Sequence, residues 1–82
     1  MPVRVTVLEN WEEIPLEVAP ETAVGDLKAR ALRASRVRHP VDSYLVKYLG
    51  AELADESVTL ASAGVVANGA LIVMPRRRLP AR

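Results

Sequence analysis

The chain has 82 residues, half of them hydrophobic and 26% charged, which is the composition of one small globular domain and not of a disordered segment. It contains no cysteine and one histidine, which excludes a disulfide framework, a thiolate nucleophile and any cysteine-ligated or histidine-rich metal centre. The net charge of +1 conceals a strong segmentation: residues 1–27 carry −5, residues 28–41 carry +5, residues 42–75 carry −3 and residues 76–82 carry +4. Apolar runs are short and strand-like alternation begins at Val3, so neither a membrane span nor a signal peptide is expected, and the expected location is the cytoplasm.

Val3-Arg4-Val5-Thr6-Val7-Leu8 alternates β-branched and polar residues, the period-two pattern of a half-buried strand, with Val3, Val5 and Val7 on one face. A polar turn over Glu9-Asn10-Trp11-Glu12 leads to a second alternating run, Ile14, Leu16 and Val18, and the pair reads as a β-hairpin. Pro15 cannot donate a ladder hydrogen bond and so places the second strand at a sheet edge. Val24, Leu27, Ala31 and Ala34 then follow a helical period, with Thr22 as the expected N-cap and Arg30, Arg33 and Arg36 near the negative end of the helix dipole. Gly25 costs helix stability relative to alanine and permits close packing in the first turn.

His39-Pro40 ends the helical pattern, because the residue before a proline is driven to extended geometry. Tyr44–Leu49 is β-prone, Gly50 turns the chain, and Ala51-Glu52-Leu53 has the length of a very short strand. One tight helical turn is expected over Thr59–Gly64. Asn68-Gly69 is a strong tight-turn dipeptide, and Leu71-Ile72-Val73-Met74 is a last strand stopped by Pro75. One apolar helix stripe and several one-faced strands are buried most simply by laying the helix across one side of a mixed sheet. The predicted class is α+β, a β-grasp of four to five strands in the order β-β-α-β-β-short helix-β. It would span residues 1–75, with a basic flexible tail over 76–82.

Four segments carry a family likeness in the expected order. Ile14-Pro15-Leu16-Glu17-Val18-Ala19-Pro20-Glu21-Thr22-Ala23-Val24-Gly25-Asp26-Leu27-Lys28 resembles the hairpin-to-helix passage of ubiquitin-like proteins. Val46-Lys47-Tyr48-Leu49-Gly50-Ala51-Glu52-Leu53 resembles the L-x-x-x-G-x-x-L segment of that family, while Thr59–Val65 and Asn68–Val73 resemble its last loop and final strand. The resemblance covers residues 3–78 and implies the ubiquitin-like β-grasp fold. It also implies a helix-to-loop ion pair at the positions of Lys28 and Asp55. Conjugated members and sulfur carriers of the family end in Gly-Gly, whereas the last glycine here is Gly69 and the sequence closes on Arg76-Arg77-Arg78-Leu79-Pro80-Ala81-Arg82. The expected relatives are therefore bacterial ubiquitin-like proteins without that tail. The spacing of Leu60, Gly64, Val65, Asn68, Gly69 and Leu71 resembles the small cytosolic component of type VII secretion systems. Covalent modification or sulfur transfer is the alternative, disfavoured by the absent Gly-Gly.

The candidate sites are surfaces and not catalytic constellations. Tyr44, Val46 and Tyr48 share one strand face and read as core, which leaves Leu45, Lys47 and Leu49 on the other face beside Ile72 and Met74. These five residues form an apolar patch centred on a lysine, the kind of surface that marks a protein interface or a homodimer. Trp11 is either an exposed anchor for a partner or an indole folded back on the sheet. Arg30, Arg33, Arg36 and Arg38 with Arg76, Arg77 and Arg78 are a candidate basic surface, but without interleaved aromatic residues they read as solvated charge, and nucleic acid is disfavoured as a ligand. His39 reads as an ordinary loop residue. No catalytic residue, cofactor or metal is expected, and the expected role is that of a non-covalent protein-binding module.

Overall fold

The computed structural model describes residues 1–76. Its elements are β1 (Pro2–Val7), β2 (Glu12–Glu17), α1 (Val24–Ala34), a 3₁₀ turn (Val41–Ser43), β3 (Tyr44–Tyr48), β4 (Ala51–Glu52) and β5 (Ala70–Pro75). The sheet order is β2-β1-β5-β3-β4, so the last strand of the described chain lies at the centre. β5 runs parallel to β1 and antiparallel to β3, while the β1–β2 and β3–β4 pairs are antiparallel. Five strands in mixed pairing under one helix are the predicted β-grasp, and Pro15 lies on an edge strand as expected.

Alternation in the sequence becomes the two faces of this sheet. Val3, Val5, Val7, Ile14, Tyr44, Val46, Tyr48, Leu71 and Val73 point toward α1 and are buried, together with Leu60 and Val65 from the loop before β5. The helix contributes Val24, Leu27, Ala31 and Leu32. Ala34, expected in the stripe, is exposed. The buried positions follow the i, i+3, i+4, i+7, i+8 rule, which brings in Lys28 and Leu32 and leaves Ala34 outside the arc.

The helix start corrects the expected cap. Ala23 occupies the N-cap with no side-chain hydrogen bond, and the Thr22 hydroxyl instead accepts from the Ala19 N–H at 3.2 Å. Backbone carbonyls of the loop after β4 do the capping: Val24 N–H donates to Val58 O and Gly25 N–H to Glu56 O, both at 2.9 Å. A Cβ at Gly25 would lie 3.3 Å from that Glu56 oxygen, so glycine is what lets the loop come this close. At the other end, Val37 N–H donates to Leu32 O and Arg36 stands at φ 62, a Schellman closure with arginine where glycine is usual.

The tight helical turn expected over Thr59–Gly64 is present as a single closed turn. Ala63 N–H reaches Thr59 O and Val65 N–H reaches Leu60 O, but Gly64 at φ 88 reverses the chain before a regular helix can extend. Thr59 also bridges Ala23, which ties this loop to the helix start. Arg76, expected to begin the tail, belongs to the fold: its N–H donates to Ser43 O and its Nε to Asp42 O. Arg77, Arg78 and the rest of the expected tail lie outside the described residues.

Lys28 is 1% exposed and sits inside the helix stripe. Its ammonium donates to Tyr44 O at 2.9 Å and lies 2.8 Å from Glu56 Oε1. The ion pair implied with Asp55 does not form. Asp55 accepts instead from the Ser57 hydroxyl at 2.6 Å and the Ser57 N–H at 3.1 Å, and these bonds lower its pKa. Removing Glu56 would strand the buried ammonium, whereas Lys28→Met leaves behind a carboxylate that reaches solvent and Arg76. Glu56→Ala should therefore cost about 3 kcal/mol, more than Lys28→Met does, as read from the midpoints and slopes of urea unfolding curves.

Candidate protein-interaction site

The face of the sheet away from α1 is uncovered by any described element, and its composition follows from the register. One row crosses all five strands: Glu13 opposite Thr6, Thr6 opposite Ile72, Ile72 opposite Lys47 and Lys47 opposite Glu52. In the next rows Leu45 pairs with Met74, and Arg4 lies between Pro15 and Ala70. Leu45, Ile72 and Met74 thus form an apolar seam along the two central antiparallel strands, with Lys47 within it. Ile72 is exposed, while Leu45, Lys47 and Met74 are half-buried. Charged residues frame the seam, Arg4 with Glu13 (3.6 Å) on one side and Glu52 with Arg76 (3.7 Å) on the other.

Four of the six expected contact residues therefore stand together, and two do not. Leu49 leaves the strand alternation because it and Gly50 form the two-residue β3–β4 turn, at φ 55 and φ 83. This is the doubly left-handed geometry of a tight hairpin, and it puts Leu49 at the tip, 86% exposed. Trp11 lies at the opposite end of the sheet, beyond the hydrogen bond from Leu8 N–H to Val73 O, and is 79% exposed at φ 52. The indole does not fold back. Trp11 and Leu49 consequently belong to different surfaces.

The candidate basic surface also divides. Arg30 donates to Glu17 O at 3.0 Å, and Arg76 is held by Asp42, Glu52 and Glu56. Arg33, Arg36 and Arg38 are exposed and make no ion pair among the described residues. Tyr44 and Tyr48 are core residues as expected.

Sequence reasoning passed over one polar cluster. The Tyr44 hydroxyl donates to Glu9 Oε1, and His39 Nε2 stands 3.6 Å from Glu9 Oε2. With Ser43 and Pro75 these side chains line a cavity of about 220 Å³. Residue 9 is far in sequence from residues 39 and 44, and only the sheet topology brings β1's end to β3's start. The one legible signal was a phenol placed on a core face, where its hydroxyl needs a partner. Among the described residues no group of three acidic or histidine side chains is arranged to hold a metal, and no helix is long and apolar enough to cross a membrane.

Comparison with solved structures places this architecture. The ubiquitin-like domain of an Arabidopsis thaliana protein, solved in solution by NMR, aligns with a TM-score of 0.79 at 22% identity, covering 100% of this chain and 83% of that one. The ubiquitin of Caldiarchaeum subterraneum aligns with a TM-score of 0.79 at 23% identity, covering 98% of each chain. The chain has the ubiquitin-like β-grasp fold. No family model and no curated protein matches its sequence.

Burial, then the hydrogen bond and negative charge of Glu9, push the Tyr44 pKa up from 10.0 to about 12. The neutral phenol is thus favoured in the folded state: its stabilising contribution is full below pH 10 and is lost as pH climbs toward 12. In a Tyr48→Phe background, an absorbance titration should show the remaining tyrosine ionising late. Glu9→Gln should move that titration to lower pH without returning it fully to the ordinary value, because burial persists.

Proposed function

We propose that this protein is a non-covalent interaction module whose uncovered sheet face, centred on Leu45, Lys47, Ile72 and Met74, receives another protein or a second copy of itself. One observation carries the reading: an apolar seam on the two central strands, flanked by charge, on the side of the sheet that α1 leaves bare. Such a seam has the anatomy of an interface, an apolar centre within a polar rim. Lys47 sets the chemistry of the partner. Its ammonium needs a carboxylate or carbonyl from the other side, since an apolar surface pressed onto it would bury an unpaired charge. The partner should therefore present an acidic or carbonyl-rich spot within an apolar contact. In this reading the domain is an adaptor and performs no chemistry of its own.

The likeness to the Caldiarchaeum subterraneum ubiquitin favours a second reading, a protein modifier attached through its C-terminus. The two readings differ in what survives denaturation. Protein recovered from its native host should show a single unmodified mass, with partners that dissociate in denaturant. Partners that persist as isopeptide-linked species would establish the modifier instead. Under native conditions, Leu45→Asp with Ile72→Asp should abolish partner recovery, or self-association measured by sedimentation, while circular dichroism remains that of the parent. Retained binding by a folded double variant would remove the sheet face from the reading.

A further inference from the structure

We propose that the end of the molecule carrying Trp11, Arg33, Arg36 and Arg38 is a second docking surface, one that receives an acidic segment of a partner protein with an apolar residue for the indole. It lies apart from the sheet face and does not depend on it. Trp11 is 79% exposed at φ 52, a left-handed conformation that is an outlier for a bulky side chain. Strained, exposed aromatic residues persist where the surrounding structure holds them, and this turn is held on three sides. Trp11 N–H donates to Leu8 O, Asn10 Nδ2 donates to Ser35 O at 2.9 Å, and Glu9 accepts from the Tyr44 hydroxyl. The indole is thus displayed on a fixed mount, which lowers the ordering cost of binding.

The bond from Asn10 to Ser35 also fixes what stands beside the indole. Ser35 is followed by Arg36, turned outward at φ 62 as the helix closes, and Arg33 lies one turn earlier with its carbonyl accepting from Arg36 N–H. His39, held near Glu9, brings the neighbouring Arg38 to the same end. Arg4 and Arg76 are engaged with carboxylates and Arg30 with a backbone carbonyl, whereas Arg33, Arg36 and Arg38 make no ion pair among the described residues. An aromatic anchor with exposed arginines at the same end is a hot-spot composition, and carboxylates are the groups that bind guanidinium in paired hydrogen bonds. Glu9 and Glu12 flank the indole along the chain, and Asp42 stands two residues before Tyr44, whose hydroxyl meets Glu9. The regular phosphates of a nucleic acid or lipid surface would be driven against these acids, whereas a peptide can place its few carboxylates between them.

The test follows Trp11 emission, the only indole signal of the chain, together with backbone amide NMR spectra of the full chain. The titrants are a short synthetic peptide with Asp and Glu flanking a Leu-Phe pair, its Asn/Gln counterpart, a single-stranded oligonucleotide and phosphatidylserine vesicles. The acidic peptide should blue-shift the emission saturably and move the amide signals of residues 9–12 and 33–39. The affinity should fall about tenfold in Arg36→Gln/Arg38→Gln and decline with added salt. Both arginines are exposed and make no ion pair among the described residues, so the double variant should keep the remaining amide spectrum. Equal binding of the Asn/Gln peptide, undiminished binding by the double variant, or no movement at residues 9–12 and 33–39 would overturn the proposal. A stronger response to the oligonucleotide or vesicles than to the acidic peptide would also overturn it.

Discussion

The fold turns on one buried charge. Lys28 stands in the apolar stripe of α1, and its ammonium is satisfied by Tyr44 O at the start of β3 and by Glu56 in the loop after β4. Three segments distant in sequence are thereby fixed to one another by a group that cannot remain unpaired at 1% exposure. The loop held by Glu56 then caps the helix through its own carbonyls, and the missing side chain of Gly25 leaves room for that hydrogen bond. Tyr44, positioned by the same ammonium, donates to Glu9 and so ties the start of β3 to the hairpin turn that displays Trp11. The apolar core supplies most of the driving force for folding, but this chain of polar contacts fixes how the helix, the long loop and the first hairpin are oriented.

The architecture was legible because its periodicities were clean. Val3, Val5 and Val7 could only line one face of a strand, and Pro15 could only sit comfortably at an edge. What misled was local chemistry overruled by distant partners. Thr22 had the right side chain for a cap, but carbonyls of residues 56 and 58 arrived first. Ala34 fitted a helical spacing by composition, while Lys28 was the residue at the buried angle, and a lysine at i+4 from Val24 in an apolar arc was the available hint of a buried partner. The identity of that partner, Glu56 in place of Asp55, depended on how Ser57 occupies Asp55, a detail of loop geometry.

The candidate site was legible in its strand residues and illegible in its turns. Leu45, Lys47, Ile72 and Met74 follow from alternation, and the observed register joins them. Leu49 obeys the same alternation on paper, yet a two-residue turn takes it off the sheet. Trp11 was separated from them by the parallel β1–β5 pairing, which sets the two hairpin tips at opposite ends of the molecule. The arginines look like one cluster in sequence because charge says nothing about pairing. Their division into engaged and unengaged groups depends on Glu17, Glu52, Glu56 and Asp42, residues remote along the chain.

The two edges of the sheet carry one more consequence. An open β-sheet propagates by offering unpaired N–H and C=O groups to the strand of another molecule. Here one edge is β2, where Pro15 removes a donor from the middle of the strand, and the other is β4, only two residues long. Both margins of the described sheet are thus poor templates for a continuous ladder, which disfavours edge-to-edge growth of copies of this protein. A surface that associates through side chains selects its partner, since a backbone ladder would accept almost any sequence.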